Sequence, residues 1–375
     1  MNLPMRVLHV VGARPNFMKT APVVAALTGR GVSQVLVHTG QHYDESMSDV
    51  FFDELDLPRP DVNLAVGSGS HAVQTAQVMT RLEPVVLERA PDWVLVYGDV
   101  NSTLAAALVC AKLGVPVAHV EAGLRSFDRR MPEEINRLVT DSLATLLFTP
   151  SADGDENLHR EGVPVDRIRR VGNVMIDTLT RLLPRARERW PALAATLGIA
   201  PGEYVLVTLH RPSNVDDEAT LSRILATLAE LSADTTVVFP VHPRTRERLA
   251  RARVAQPAAL RLADPLGYLD FLSLQDSALG VVTDSGGVQE ETTFLGIPCY
   301  TLRASTERPV TVEVGTNVLI GDDMDRLRRE MGRLRAGQAK RGSRPLLWDG
   351  AAAHRIADAL CDEAVTSRAR ATFER

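Results

Sequence analysis

Residues 281–291 read Val-Val-Thr-Asp-Ser-Gly-Gly-Val-Gln-Glu-Glu, and they predict a strand that turns directly into a helix. The apolar run 279–283 stops at Asp284, and a helical pattern begins after the two glycines. Free backbone N–H groups at the start of such a helix can hold a phosphate or diphosphate. The predicted ligand-binding residues of this segment are Ser285, Gly286, Gly287 and Glu291. The alternative is an ordinary strand–helix turn with capping residues.

Short apolar runs alternate with amphipathic stretches on both sides of this segment. The predicted strands are Arg6–Val11, Gln34–Thr39, Trp93–Tyr97, Val115–Val120, Leu146–Thr149, Ile168–Val171, Tyr204–Thr208, Thr236–Pro240, Leu279–Thr283, Cys299–Leu302 and Asn317–Ile320. This alternation predicts an α/β fold of parallel β–α–β units with doubly wound sheets. The pattern restarts after a stretch rich in Arg, Ala and Pro (Arg181–Gly202), which is interpreted as a connector. We therefore predict domains at 1–175 and 176–354, with a helix at 355–375 able to pack back on the first.

Composition limits the classes of function. The chain has 375 residues, 45% hydrophobic and 24% charged, which suits two domains of a soluble enzyme. A net charge of −5 argues against nucleic-acid and membrane-surface binding. No apolar run approaches the ~20 residues of a membrane span, and no secretory signal is evident. The three cysteines have no metal-ligand spacing, so we expect a cytoplasmic protein without a metal site.

The first strand ends in Gly12-Ala13-Arg14-Pro15, which indicates a corner between a strand and a helix. Arg14 at this corner and Lys19 one turn later suit a polyanionic ligand. The alternative is a pair of surface cations on a first helix. Neither a G-x-G-x-x-G dinucleotide motif nor a P-loop is present.

Acidic residues follow the next strands. Asp99 comes at the end of one strand, although it could be a helix N-cap. His119 and Glu121 end the following strand, and alternation makes one of them hard to expose. Glu133 opens a helix, where an acid is favourable and could pair with Arg137. Together Asp99, Glu121 and Glu133 can gather at one sheet edge and transfer protons.

The second domain carries its own polar residues at predicted strand ends. His210 and Arg211 follow its first strand, and His242 follows the next one. Arg308 lies in an Arg-Pro corner that resembles the one at the start of the chain. A histidine after a strand is more often structural than catalytic, but together with the Ser-Gly-Gly turn these residues favour a phosphate site.

As an ordered set, these motifs resemble the non-hydrolysing UDP-N-acetylglucosamine 2-epimerases. The matching segments are Gly12-Ala13-Arg14-Pro15, Gly98-Asp99, residues 119–125, Pro132-Glu133-Glu134, Gly172-Asn173, His210-Arg211, residues 283–291 and Thr306-Glu307-Arg308-Pro309. The resemblance implies two Rossmann-like domains that face a cleft in the glycosyltransferase-B arrangement, and a homodimer. This sequence departs from the family pattern at Asn16, where many members have Glu, and at Pro212, where many have Arg.

The resemblance also implies a reaction without nicotinamide or metal. The family interconverts UDP-N-acetylglucosamine and UDP-N-acetylmannosamine by eliminating UDP to 2-acetamidoglucal and adding it back. By similarity, Asp99, Glu121 and Glu133 are the catalytic acids and His210 holds UDP, and we expect His210 to stabilise the charge of the departing diphosphate. The residues expected to bind the UDP-sugar are Arg14, Lys19, Arg211, His242, Ser285, Gly286, Gly287, Glu291 and Arg308. The alternatives are a hydrolysing relative, a glycosyltransferase of the same fold, and a non-catalytic nucleotide-sugar-binding protein.

Overall fold

The computed structural model of the chain describes residues 5–41, 52, 54–241, 246 and 257–373. The side chains of Arg14 and of residues 364–373 lie outside this description. The chain divides into unit 1, Met1–Thr178 with Leu346–Arg375, and unit 2, Leu179–Pro345. Among the described residues, no helix has both the length and the apolar character needed to cross a membrane.

Unit 1 is built on a parallel sheet with strand order β3-β2-β1-β4-β5-β6-β7. Its strands are β1 (Arg6–Val11), β2 (Ser33–His38), β3 (Val62–Asn63), β4 (Trp93–Tyr97), β5 (Val117–Val120), β6 (Leu146–Thr149) and β7 (Ile168–Arg170). Its helices are α1 (Arg14–Thr28), α2 (His71–Arg89), α3 (Asn101–Leu113), α4 (Pro132–Leu143), α5 (Ala152–Arg160), the start of α6 (Val174–Leu197), and the last helix of the chain (Ala352–Phe373). The inner strands β4 and β5 are buried along their whole length, because helices cover a parallel sheet on both faces.

Unit 2 repeats this architecture with strand order β10-β9-β8-β11-β12-β13, again parallel. The strands are β8 (Tyr204–Thr208), β9 (Thr236–Pro240), β10 (Leu260–Ala263), β11 (Gly280–Thr283), β12 (Cys299–Thr301) and β13 (Asn317–Leu319). The described helices are α7 (Pro212–Val215), α8 (Glu218–Leu231), α9 (Tyr268–Asp276), α10 (Gly286–Leu295), α11 (Pro309–Glu313) and α12 (Met324–Arg335), and we label the last helix of unit 1 α13.

Two parallel sheets flanked by helices confirm the predicted α/β class. The sequence analysis missed only short edge strands among those described. Strand β3 has two residues, and β10 carries the half-buried Arg261, so neither produces an apolar run. The stretch interpreted as a connector is largely helical, because α6 continues through Pro184 and Pro191.

The register of the strands determines which loops are neighbours. In unit 1, Tyr97 on β4 lies opposite Val120 on β5, so the loops that begin at Gly98 and Glu121 emerge side by side. In unit 2, Thr208 on β8 lies opposite Thr283 on β11. Ligands of doubly wound sheets bind at such carboxyl ends. Each unit therefore brings its predicted polar residues to one edge of its own sheet.

Candidate active site

The corner after β1 is fixed by Asn16. Its Oδ1 accepts hydrogen bonds from the backbone N–H groups of Gly12 and Ala13, both at 3.1 Å. Its Nδ2 donates to the carbonyl of Tyr97 at 2.8 Å, at the end of β4. A carboxylate at this position could not make that last bond. Asn16 thus ties the two strand ends together, and Arg14 begins helix α1 at this corner.

Lys19 and Glu121 form a buried ion pair. Lys19 Nζ donates to Glu121 Oε2, and the two residues are only 5% and 7% exposed. Lys19 is therefore not a surface cation, which was the alternative interpretation. Glu121 has a left-handed backbone with a φ of +74°, which costs about 1–3 kcal/mol in a residue other than glycine. Strain of this kind is typical of functional sites, where surrounding contacts hold the residue in place.

Gly98 makes room for this pair. A Cβ atom at Gly98 would lie 2.8 Å from Lys19 Nζ and 3.2 Å from Glu121 Oε2. Its φ of +62° also favours glycine. The close approach means that any side chain here would displace the ion pair.

Asp99 is not a helix cap. The N-cap of α3 is Val100, and no side chain caps that helix. The Asp99 carboxylate instead accepts from Arg137 Nη1 at 2.5 Å, and its carbonyl accepts from Asn136 Nδ2 at 2.8 Å. Asp99 is partly exposed, so its carboxylate remains accessible to a ligand.

Helix α4 presents two adjacent acids with opposite surroundings. Glu134 is buried and accepts from Arg137 Nη2 at 2.8 Å and from the backbone N–H of Ser126 at 2.9 Å. Burial alone would raise the pKa of Glu134, but these bonds lower it. Glu133 is exposed. The predicted pairing of Glu133 with Arg137 is wrong, because Arg137 turns toward Glu134 and Asp99.

His119 belongs to a buried network that the sequence analysis did not predict. Its Nδ1 lies 2.5 Å from Asp141 Oδ1, and its Nε2 lies 2.8 Å from the carbonyl of Gly98. Burial opposes ionisation of Asp141, but His119 and Arg125 lower its pKa, so it is a carboxylate. Both ring nitrogens of His119 therefore face acceptors, and this links helix α4 to the loop after β4.

In unit 2, the buried Asp284 organises the loop after β8. Its carboxylate accepts from the backbone N–H groups of His210, at 3.1 Å, and Arg211, at 3.0 Å. It also accepts from Asn214 Nδ2 at 3.0 Å and lies 2.9 Å from His210 Nδ1. Burial opposes its ionisation, but His210 and Asn214 lower the pKa of Asp284. The His210 side chain itself is 62% exposed.

The Ser-Gly-Gly turn begins helix α10 as predicted from the sequence. Ser285 is at the N-cap, with no side-chain capping bond. A Cβ atom at Gly286 would lie 2.4 Å from Arg308 Nη1 and 2.9 Å from Glu307 Oε1. Arg308 thus packs against the turn, while Glu307 and Glu290 form ion pairs with it. Burial opposes ionisation of Glu307, but Arg308 and Arg303 keep its pKa well below the usual range.

Glu291 lies one turn further along α10, and its side chain is buried. Tyr268 Oη donates to Glu291 Oε1 at 2.9 Å. Burial raises the pKa of Glu291 to about 7, with a contribution from the neighbouring Glu290. Burial and Glu291 also raise the pKa of Tyr268 well above its ordinary value. This carboxyl group can therefore change its ionisation near neutral pH.

Each unit therefore brings its own predicted residues together. Unit 1 collects Lys19, Asp99 and Glu121 at one sheet edge, with Glu133 on the helix that Arg137 ties to Asp99. Unit 2 collects His210, Arg211, Ser285, Gly286, Gly287, Glu291 and Arg308. His242 lies outside the described residues. Within the described part of the chain, no group of three or more His, Cys, Asp or Glu side chains is arranged to hold a metal ion.

Two doubly wound α/β units, one with clustered acids and one with a Ser-Gly-Gly helix start, are typical of enzymes that act on nucleotide-linked substrates. Comparison with known protein families narrows this class. The family model described as UDP-N-acetylglucosamine 2-epimerase matches residues 25–361. The chain therefore belongs to the UDP-N-acetylglucosamine 2-epimerase family.

Individual relatives agree with this assignment. The UDP-N-acetylglucosamine 2-epimerase of Methanocaldococcus jannaschii is 43% identical over 86% of this chain and 90% of its own length. A crystal structure of a Methanocaldococcus jannaschii UDP-GlcNAc 2-epimerase in complex with UDP-GlcNAc and UDP aligns with a TM-score of 0.85 and 41% identity, and the alignment covers 95% of this chain and 99% of that chain. A UDP-2,3-diacetamido-2,3-dideoxy-D-glucuronate 2-epimerase of Pseudomonas aeruginosa is 41% identical over 95% of this chain and 99% of its own length.

Proposed function

We propose that this protein is a non-hydrolysing epimerase that interconverts UDP-N-acetylglucosamine and UDP-N-acetylmannosamine. The observation that carries the proposal is the cluster of acids in unit 1. Asp99 and Glu121 follow adjacent strands, and each is ion-paired with a neighbouring cation. Family membership and the UDP-GlcNAc bound to the M. jannaschii relative support this substrate.

The reaction proceeds in two steps, elimination of UDP and its re-addition. In the first, a carboxylate of unit 1 takes the proton from C2 of the sugar while the bond between C1 and the diphosphate oxygen breaks. This gives 2-acetamidoglucal, with a double bond between C1 and C2, and UDP. In the second, the diphosphate oxygen adds back to C1 and a proton is delivered to the other face of C2. No water is consumed, so UDP and free sugar do not accumulate.

The roles of the acids follow from their surroundings. Glu133 is exposed and needs no rearrangement to meet a substrate, so it is the first candidate for the C2 base. Glu121 is bound to Lys19, a cation that suits a diphosphate. Arg137 pairs with both Asp99 and Glu134. Because Asp99 shares this cation, the Asp99 carboxylate remains available as a hydrogen-bond acceptor. A pair of acids on different faces of C2 allows proton removal and proton return to occur from opposite sides.

Departure of UDP requires stabilisation of the diphosphate charge. In unit 2, backbone N–H groups at the start of α10 and the exposed imidazole of His210 are suited to this task. Arg211, whose Nε donates to the Asp284 carbonyl, adds positive charge beside the same turn, and Arg308 packs against the turn as part of its ion pairs with Glu290 and Glu307. Glu291, one turn into the helix, is assigned to the ribose hydroxyls.

A UDP-2,3-diacetamido-2,3-dideoxy-D-glucuronate is the second candidate substrate. It is favoured by the P. aeruginosa relative, which matches 95% of this chain. The chemistry at C1 and C2 would be the same, and the two substrates differ at C3 and C6. Separate incubations with each UDP-sugar at equal concentration distinguish the candidates by the ratio of their kcat/KM values.

The deciding experiment is NMR of UDP-N-acetylglucosamine incubated with the protein in deuterated water. We expect UDP-N-acetylmannosamine to appear, with deuterium at C2 of both sugars and the diphosphate linkage intact. Free N-acetylmannosamine with UDP would indicate the hydrolysing reaction instead. Sugar transfer only after addition of an acceptor would indicate a glycosyltransferase, and the absence of deuterium exchange would indicate a binding protein.

We also propose that the protein acts as a homodimer in the cytoplasm. The dimer is an expectation from the family resemblance, and sedimentation velocity at micromolar concentration tests it. The cytoplasmic location is supported by cysteines that are free in the described structure, two of them buried.

A further inference from the structure

We propose that Asp284 is a positioning residue that acts on the diphosphate site through the imidazole of His210. This inference rests on the proposed function, because it assigns a role within the same UDP site. Asp284 precedes the Ser-Gly-Gly turn and does not itself have to touch the ligand. Its side chain is completely buried, whereas that of His210 is 62% exposed. The buried carboxylate therefore holds a ring that projects to the surface.

The donors around Asp284 determine the protonation of the His210 ring. The Asp284 carboxylate accepts hydrogen bonds from the backbone N–H groups of His210 and Arg211 and from the side-chain amide of Asn214. All of these groups donate to the carboxylate, and the pKa of Asp284 is lowered from its ordinary value. His210 Nδ1 lies 2.9 Å from the same carboxylate, and in a neutral ring the tautomer with a proton on Nδ1 is the one that can donate to it. The Nδ1–H form leaves Nε2 as the ring nitrogen that is not directed at Asp284.

This arrangement links the loop after β8 to the turn after β11. Asp284 Oδ2 binds the backbone of the β8 loop, while the next three residues of the chain form the predicted anion site. Arg211 Nε also donates to the Asp284 carbonyl at 3.2 Å. A single residue thus sets the orientation of the imidazole relative to the N–H groups of the helix start. Pre-organised donors of this kind stabilise charge that develops on a leaving group.

A double-mutant cycle tests whether Asp284 acts through His210. Asp284→Asn, His210→Gln and the double variant are compared with the unchanged protein by calorimetric titration with UDP. We expect each single change to weaken UDP binding by about tenfold or more, and the double variant to bind within about twofold of His210→Gln alone. If the two effects multiply, Asp284 acts through the backbone of the loop, and the proposal is overturned.

Asp177→Asn is the matched control. Asp177 is also a buried carboxylate, and it accepts two backbone N–H groups in unit 1. We expect it to leave UDP affinity unchanged, so that a general cost of replacing a buried acid can be separated from the effect at position 284. UDP binding requires no turnover. A failed cycle in a protein that still forms UDP-N-acetylmannosamine therefore contradicts this inference alone.

NMR of the unchanged protein keeps the proposal testable if Asp284→Asn does not fold. With histidine labelled with ¹⁵N, the signals that disappear in His210→Gln identify the ring of His210. We expect a proton on Nδ1 in the neutral ring. A neutral ring protonated only on Nε2 would show that Asp284 does not accept from it, and would overturn the proposal.

Discussion

The polar edges of the two units share buried carboxylates that are paired with cations, and they differ at Glu291 of unit 2. In unit 1, Glu121 is paired with Lys19, and Asp141 lies between His119 and Arg125. In unit 2, Glu307 is likewise paired with Arg308, whereas Glu291 accepts from the neutral hydroxyl of Tyr268, and burial raises the pKa of Glu291 to about 7. A buried acid beside a cation stays ionised, whereas one beside a neutral donor titrates near neutrality. The first edge is therefore suited to proton transfer with fixed charges, and the second to a ligand contact that depends on pH.

The largest expected effect is a loss of turnover on replacing acids of unit 1, compared with a loss of UDP affinity on replacing Glu291 of unit 2. Glu133→Gln in unit 1 should lower kcat by about 10²- to 10⁴-fold with UDP affinity nearly unchanged, because it removes a proton acceptor and keeps the shape of the side chain. Asp99→Asn and Glu121→Gln should lower kcat in the same direction. Glu291→Gln in unit 2 should weaken UDP binding instead. Steady-state kinetics and calorimetry of the variants measure the contrast, and near-normal turnover in all three unit 1 variants would contradict the assignment.

The next effect concerns stability. Lys19→Met removes the cation that Lys19 places against the buried Glu121, which should lower the free energy of unfolding by about 3–5 kcal/mol. The double variant Lys19→Met/Glu121→Gln should recover most of this loss, since no unpaired charge remains. Denaturant unfolding measures both. The exposed Arg328–Glu230 pair of unit 2 is the control, where removing the cation should cost at most about 1 kcal/mol.

The pH dependence of UDP binding tests the Tyr268–Glu291 contact. If the ionised Glu291 accepts ribose hydroxyls, affinity should rise by about threefold to tenfold as the pH increases through about 7. Tyr268→Phe removes a donor that favours the ionised form, so the rise should move to higher pH. Glu291→Gln is the control and should lack this contribution. An identical pH profile in Tyr268→Phe would show that the hydroxyl does not influence Glu291.

A separate effect on stability comes from Asp177, a buried acid of unit 1 that accepts backbone N–H groups of Ala352 and Ala353. Burial raises its pKa to about 6. The folded state therefore binds a proton more tightly than the unfolded state, and this contribution is present at low pH and lost as the pH rises through about 6. We expect Asp177→Asn to remove about 1–3 kcal/mol of pH dependence between pH 4 and 7.

Unfolding of Asp177→Asn at several pH values measures this slope. Asp166→Asn, which changes an exposed acid of the same unit, is the control. A constant difference in stability between Asp177→Asn and the unchanged protein across the pH range would contradict the prediction.

The sequence predicts which loops carry function better than it predicts how their side chains pair. Apolar runs and the residues after them locate the loops at Gly98, Glu121 and the Ser-Gly-Gly turn, because parallel strands end at one edge. Lys19 and Glu121 form an ion pair although they are 102 residues apart in the chain, and no local sequence pattern links them. Such pairings depend on tertiary packing.

Helix α4 shows that the sequence does not predict the pairing even of two neighbouring residues. Glu133 and Glu134 are chemically identical acids at the start of the helix, and propensity cannot tell which of them is buried. The structure buries Glu134 against Ser126 and Arg137 and exposes Glu133. Asp284 was visible in the sequence only as the end of a strand, since its role depends on a loop more than 70 residues earlier in the chain.

The return of the chain to unit 1 after Pro345 has a practical consequence for dissecting the protein. Trp348 Nε1 donates to the carbonyl of Pro150, and Asp177 binds the first residues of α13, so unit 1 is completed by residues from both termini. Unit 2 is one continuous segment and is the part that can be cloned by itself. A deletion from the C-terminus would damage the amino-terminal half first, and an inactive truncated product would report on the fold of unit 1 rather than on nucleotide binding by unit 2.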